Sequence, residues 1–335
     1  GDSAFYQCTG FRGNLVIPDT VTSLGSYSFF GCNGFDGYLK MPSEIDVIND
    51  DVFSHCEKLK GQIDLPSKIT TIGMNAFSFC YALHGSLKIP DSVVSVGALA
   101  FFQCTGINGS LTLSNKLQSI EEGAFYFCNN LRGSLSLPTT LQKIGRSAFA
   151  SCQNLNGSLV IPNSVNSISD YAFSMCRGFT GKLTIPDSVK TIGTSAFEEC
   201  HGFSGELILP NSLKTISRFT FSYCNNFGGG LTIPESVTKI ESYAINGCSG
   251  FNGSLSLPIG LKEIGTSCFS GCSNLAGQLK LPVGIIYIGS DAFSGCEELS
   301  GNLDIPESLT IIKSNSFSGC SSLKNVSIPS SVKKI

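Results

Sequence analysis

Cysteine returns every 24 residues along this chain, at Cys8, Cys32, Cys56, Cys80, Cys104, Cys128, Cys152, Cys176, Cys200, Cys224, Cys248, Cys272, Cys296 and Cys320. Thirteen consecutive intervals without an insertion leave few folds open. Each interval has to form one structural unit, and each unit has to stack on its own copies, since a solenoid is the architecture that extends by repetition. The 335 residues therefore read as a single array of about 14 units, residues 1–335, although length alone would imply two globular domains. Composition agrees with a packed array. The chain is 41% hydrophobic and 14% charged, rich enough in apolar side chains for a core and too poor in charge for disorder.

The same spacing decides how the cysteines are used. Copies on adjacent turns stand about 4.8 Å apart and point the same way. Disulfide-bonded cysteines turn towards each other with β-carbons about 3.8 Å apart. The column therefore reads as a ladder of buried free thiols, and it leaves the redox compartment open. Cys268, the one cysteine off the register, falls in the column of small residues held elsewhere by Ala4, Ala76, Ala100, Ala124, Ala148, Ala172, Ala196, Ala244 and Ala292. Cys268 and Cys272 thus read as core neighbours; a metal site would need further ligands.

Other columns follow from residue type. Phe stands three before Cys in every unit except the one with Ile245. Every proline belongs to one column from Pro18 to Pro306, then Pro329, with Ser114 the single vacancy. Leu183-Thr184-Ile185 alternates apolar and polar side chains, the pattern of a short strand. Pro186 ends it, because proline lacks the N–H of the next ladder bond. Gly181 enters it, at a bend suited to positive φ. Val189 and Ile192 at a spacing of three, with Ala172, Phe173, Cys176 and Phe179 in steps of one and three in their own unit, suit short strands or short 3₁₀ or helical turns on the opposite side. One unit cannot bury these side chains alone; stacked units share a continuous core.

The unit Leu-x-Ile-Pro-x-x-Val-x-x-Ile-Gly-x-x-Ala-Phe-x-x-Cys, seen from Leu183 to Cys200, resembles the BspA-like, or Treponema pallidum-type, leucine-rich repeats along the entire chain. That resemblance implies a right-handed leucine-rich-repeat solenoid with a parallel β-sheet. The family unit has 23 residues; here most units carry one more, near Gly181 and its equivalents. The chain begins and ends at the same internal point of the unit, so it reads as a segment of a longer protein.

Candidate chemistry is sparse. His55, His84 and His201 occupy three different columns, with no carboxylate or nucleophile in an obvious register. No phosphate-binding loop, nucleophile elbow or metal-binding motif is present, and the glycines belong to the period. The reading is a chain that is not an enzyme and uses no cofactor and no metal. A net charge of −3 without a basic stripe argues against nucleic acid, and no apolar run is long enough for a membrane helix.

Binding would fall to stripes of variable residues. One is the outward side of the strand: Tyr38, then the hydroxyl-rich Ser110, Thr112, Ser134 and Ser136, then Lys182 and Thr184. A second lies just before Cys and holds Tyr6, Phe30, Phe79, Phe102, Tyr126, Phe127 and Tyr223, whereas Gly247, Gly271, Gly295 and Gly319 stand there further on. These rings either pack only on neighbouring turns or form an exposed anchor for a partner. Four Asn-x-Ser sequons, at Asn108, Asn156, Asn252 and Asn325, fit secretion, but repeat composition alone would also produce three of them. The resemblance implies a cell-surface or secreted adhesion module binding host protein, matrix or glycan. The alternative is a cytoplasmic scaffold lying along a larger assembly.

Overall fold

The computed structural model describes all 335 residues and is a parallel-strand solenoid of about 13 turns with a 24-residue period. The chain divides into two compact units, residues 1–165 with 172–178, and residues 166–171 with 179–335. Each is built in the same way from three ladders.

The first ladder is the expected strand. In the first unit Leu15–Val16 pairs in parallel with Leu39–Lys40, and Leu87–Lys88 with Leu111–Thr112. In the second unit Gly181–Thr184 pairs with Phe203–Ile208, and Leu231–Thr232 with Leu255–Ser256. The leucines point inward and the following residues outward. Gly181 does take positive φ, at 75°.

The second ladder takes the short-strand form among those expected for the opposite side. Pro186 accepts a hydrogen bond from Val189 N–H at 3.0 Å, closing a tight turn, and a second strand follows at Thr191–Ile192. Its counterparts form parallel ladders within each unit: Val47–Ile48, Thr71–Ile72 and Ser95–Val96 in the first, and Thr215–Ile216, Lys239–Ile240, Glu263–Ile264 and Tyr287–Ile288 in the second. Val189 and Ile192, three apart, are therefore the last residue of a turn and an inward strand residue, not neighbours on a helix face.

The third ladder replaces the expected helix around Cys. No residue of the chain is helical. Successive N–H groups alternate between a local bond and a bond to the next turn. Leu99, Phe101 and Gln103 donate to the carbonyls of Glu122, Ala124 and Tyr126 at 2.8–2.9 Å, while Ala100, Phe102 and Cys104 donate to Gly97, Leu99 and Phe101 at 3.0–3.3 Å. Tyr243, Ile245 and Gly247 in the second unit repeat the outward set at 2.8–3.0 Å. A helix would satisfy these groups within its own turn; here half of them stitch turns together. The geometry demands left-handed backbone at two places per unit, five residues and one residue before each Cys, as at Leu99 (φ 56°) and Gln103 (φ 55°). None of these residues is Val, Ile or Thr, the side chains least tolerant of that region.

The core is the expected set of stacked columns. Phe53, Phe77, Phe101, Phe125, Phe149 and Phe173 are fully buried, with successive ring centroids 5.3–5.6 Å apart. In the second unit Phe197 stacks on Phe221 at 5.6 Å and Phe269 on Phe293 at 5.2 Å, with buried Ile245 filling the gap between the two pairs. A second aromatic column, Phe203, Phe227 and Phe251, stacks at 5.6 Å. Burying a side chain of this size contributes roughly 1.5–3 kcal/mol.

All fifteen cysteines are free, and all but half-buried Cys8 are buried. Along the ladder the thiols donate to the carbonyl of the residue 27 positions earlier, as in Cys80 Sγ to Phe53 O at 3.1 Å, Cys176 to Phe149 at 3.0 Å and Cys272 to Ile245 at 3.2 Å. Burial pushes Cys80, Cys128 and Cys272 up to about 12. Such thiols remain protonated, and they make poor nucleophiles and metal ligands. Cys268 is buried in the alanine column as expected.

Candidate binding faces

Both stripes singled out from the sequence lie on the surface. On the strand face Tyr38 is 51% exposed and Ser110, Thr112, Ser134, Ser136, Lys182 and Thr184 are all exposed. Four of them meet. Ser110, Thr112, Ser134 and Ser136 line one shallow cleft in the first compact unit, together with Lys88, Asp91 and Asn115. At its edge Ser114 takes the place of proline, fully buried, with its hydroxyl donating to Val93 O at 2.6 Å and accepting from Lys116 N–H. Tyr38 stands apart from this cleft, and Lys182 and Thr184 belong to the second unit.

The residues before Cys occupy two columns, not one. Two before Cys stand Tyr6, Phe30, Ser54, Ser78, Phe102 and Tyr126; one before it stand Gln7, Gly31, His55, Phe79, Gln103 and Phe127. The rings pass from one column to the other and stay in contact. Tyr6 stacks on Phe30 at 5.0 Å, Phe30 meets His55 at 5.3 Å, and His55 stacks on Phe79 at 4.2 Å. Phe79 then meets Phe102 edge-on at 5.0 Å, Phe102 stacks on Tyr126 at 5.3 Å, and Tyr126 touches Phe127 at 4.5 Å. Tyr27 and Tyr81 flank the band at Phe30 and Phe79. Where the band changes column, Ser54 and Ser78 are buried, as expected if His55 and Phe79 fold over them.

The rings pack on neighbouring turns and stay partly open to solvent. Phe79, Phe102 and Tyr126 are half-buried while Phe127 is 37% exposed. The result is a continuous aromatic band across six units. Tyr27, His55 and Tyr81 belong to it and were not placed in that stripe from the sequence; their signal is an aromatic or imidazole ring beside the same columns.

The structure adds carboxylates near two histidines. His55 Nδ1 lies 3.8 Å from Glu57, and His201 Nε2 lies 4.0 Å from Glu199, while His201 Nδ1 lies 2.7 Å from the Tyr223 carbonyl. Both ion-pair distances exceed a hydrogen bond. No group of three or more His, Cys, Asp or Glu gathers as a metal site, and no helix is long and apolar enough to cross a membrane. All four sequon asparagines are exposed; Asn108 and Asn252 each accept a bond from the N–H of a glycine on the preceding turn, at 3.0 Å.

Comparison with known proteins agrees with this architecture. No curated protein sequence matches the chain significantly. A leucine-rich repeat protein from Bacteroides ovatus is 28% identical over 100% of this chain and 86% of its own, with a TM-score of 0.79. A leucine rich cell surface protein from Faecalibacterium prausnitzii is 24% identical over 97% of this chain and 81% of its own, with a TM-score of 0.51. The family description "BspA type leucine rich repeat region (6 copies)" matches residues 1–132, 84–203, 153–276, 203–301 and 251–335. Those matches run from one end of the sequence to the other, and the chain belongs to the BspA-type leucine-rich repeat family.

Proposed function

We propose that this chain is an adhesion module, displayed at a cell surface or secreted, which binds a partner protein through the aromatic face of its first six units. The observation that carries the reading is the band from Tyr6 to Phe127, a run of touching rings held half-open to solvent on a rigid ladder. Contiguous exposed apolar surface of this kind is what interaction sites use, and rings fixed by stacking lose little freedom on binding. The hydroxyl-lined cleft around Ser110 and Ser134 offers a shallower contact, suited to weak repeated interactions with extended protein or glycan. Family membership supports a binding module with no enzymatic role.

Membrane-impermeant biotin applied to intact source cells, with lysed cells as control, tests the placement. Labelling without lysis supports adhesion. Labelling only after lysis overturns the surface reading and favours a cytoplasmic scaffold.

A further inference from the structure

We infer that the aromatic face of the first six units docks an extended segment of a partner protein rich in lysine or arginine. The inference rests on the binding face proposed above and names the chemistry of what covers it. Within the stretch from seven residues before Cys to one after it, the first six units carry Asp2, Asp50, Glu57, Glu121 and Glu122 and no lysine or arginine at all, the remaining acid, Asp51, being buried. Chance spreading does not favour this, since the chain as a whole has 22 basic and 25 acidic residues. The same stretch in the other units contains Arg146, Arg177, Arg218 and Lys313 among its acids, and Arg146 ends the acidic column one turn beyond Glu122.

The carboxylates are placed to act together. Asp2, Asp50 and Glu122 share one column, so they lie along one line beside the rings, across roughly 24 Å for six turns at strand spacing. An extended segment of about seven or eight residues covers that length. Asp2 and Asp50 each spend one oxygen on a backbone N–H of the next turn, Ser26 at 2.9 Å and Met74 at 2.7 Å. That bond fixes the carboxylate, so little side-chain freedom remains to be lost on pairing. Beside the band a cleft is lined by Tyr6, Gln7, Phe30, Asn33, His55 and Glu57. The stem of a long basic side chain fits against Phe30 there, with its charged head at Glu57. Complementary charge of this kind steers encounter and selects partners. An acidic segment or nucleic acid would meet repulsion along the same line.

Fluorescence anisotropy of the full chain with a labelled peptide of alternating Lys and Leu, about ten residues long, tests this against a Glu and Leu peptide of equal length. The Lys peptide is expected to bind and the Glu peptide not, with affinity falling as salt rises. The combined near-isosteric change Asp50→Asn, Glu57→Gln and Glu122→Gln is expected to weaken the Lys peptide about tenfold, with circular dichroism unchanged. Equal binding of both peptides, no binding of the Lys peptide, or full affinity in that variant overturns the inference. If Phe79→Ser, Phe102→Ser and Phe127→Ser together abolish binding while the charge variant does not, the face stands and its preference for basic partners falls.

Discussion

The residue just before the ladder cysteine differs between the two ends of the molecule while its backbone does not. In the first six units it is Gln7, Gly31, His55, Phe79, Gln103 and Phe127, with φ of 54–68°; in the last four it is Gly247, Gly271, Gly295 and Gly319, with φ of 70–76°. The alternating hydrogen bonds around Cys impose the left-handed conformation in both places. Glycine meets that demand without strain, whereas a side chain there costs roughly 1–2 kcal/mol. The later units show that glycine suffices for the fold, so the strained rings of the earlier units point to work at the surface. The serines beneath agree: Ser54 and Ser78 are buried beside large neighbours, while Ser270 and Ser294 beside glycine are half-open.

The comparison assumes one scaffold under both faces, and alkali is the strongest way to break it. The buried thiols have folded-state values above their ordinary 9.0, about 12 for Cys80 and Cys128 in the first unit and Cys272 in the second. Between pH 9 and 12 the unfolded chain has lost protons that the folded chain retains, so stability present below pH 9 is lost as pH rises. Each thiol removes about 1.4 kcal/mol per pH unit in that window. Circular dichroism should show unfolding before pH 12; a signal unchanged at pH 12 would mean that the ladder is not sealed.

Replacing Phe77 or Phe293 by Ala should cost about 3–5 kcal/mol in either unit by chemical denaturation. A large cost in one unit and none in the other would show that the core ladders are not equivalent. A valine one residue before Cys sharpens the contrast on the backbone alone. Gly271→Val should destabilise by roughly 1–3 kcal/mol and Gly271→Ser by less, because branching at Cβ adds to the left-handed strain.

The period, the Phe, Pro and Cys columns and the inward leucines are legible in the sequence because each column repeats one side chain in one environment. One feature was left open between a short strand and a helical turn, and another was not legible. The second strand at Thr191–Ile192 hides behind a spacing of three between Val189 and Ile192, which a turn followed by a strand shares with a helix. The turn ladder around Cys leaves only a negative signal, the lack of Val, Ile and Thr at its left-handed positions. For the binding face, individual rings were legible, but their continuity depends on His55 and Phe79 bridging two columns above small serines. The charge of that face emerges only when acids are read by column, since the chain as a whole is nearly neutral.

The most direct test gives the first face the residues of the second. In the double variant Phe79→Gly and Phe127→Gly, lost ring contacts and relieved backbone strain should nearly offset. The expected result is a melting temperature within a few degrees of the parent, from a net change of about 1 kcal/mol, and loss of Lys-peptide binding. Collapse of the fold, or binding that survives in a folded variant, would contradict the claim that these rings serve the surface.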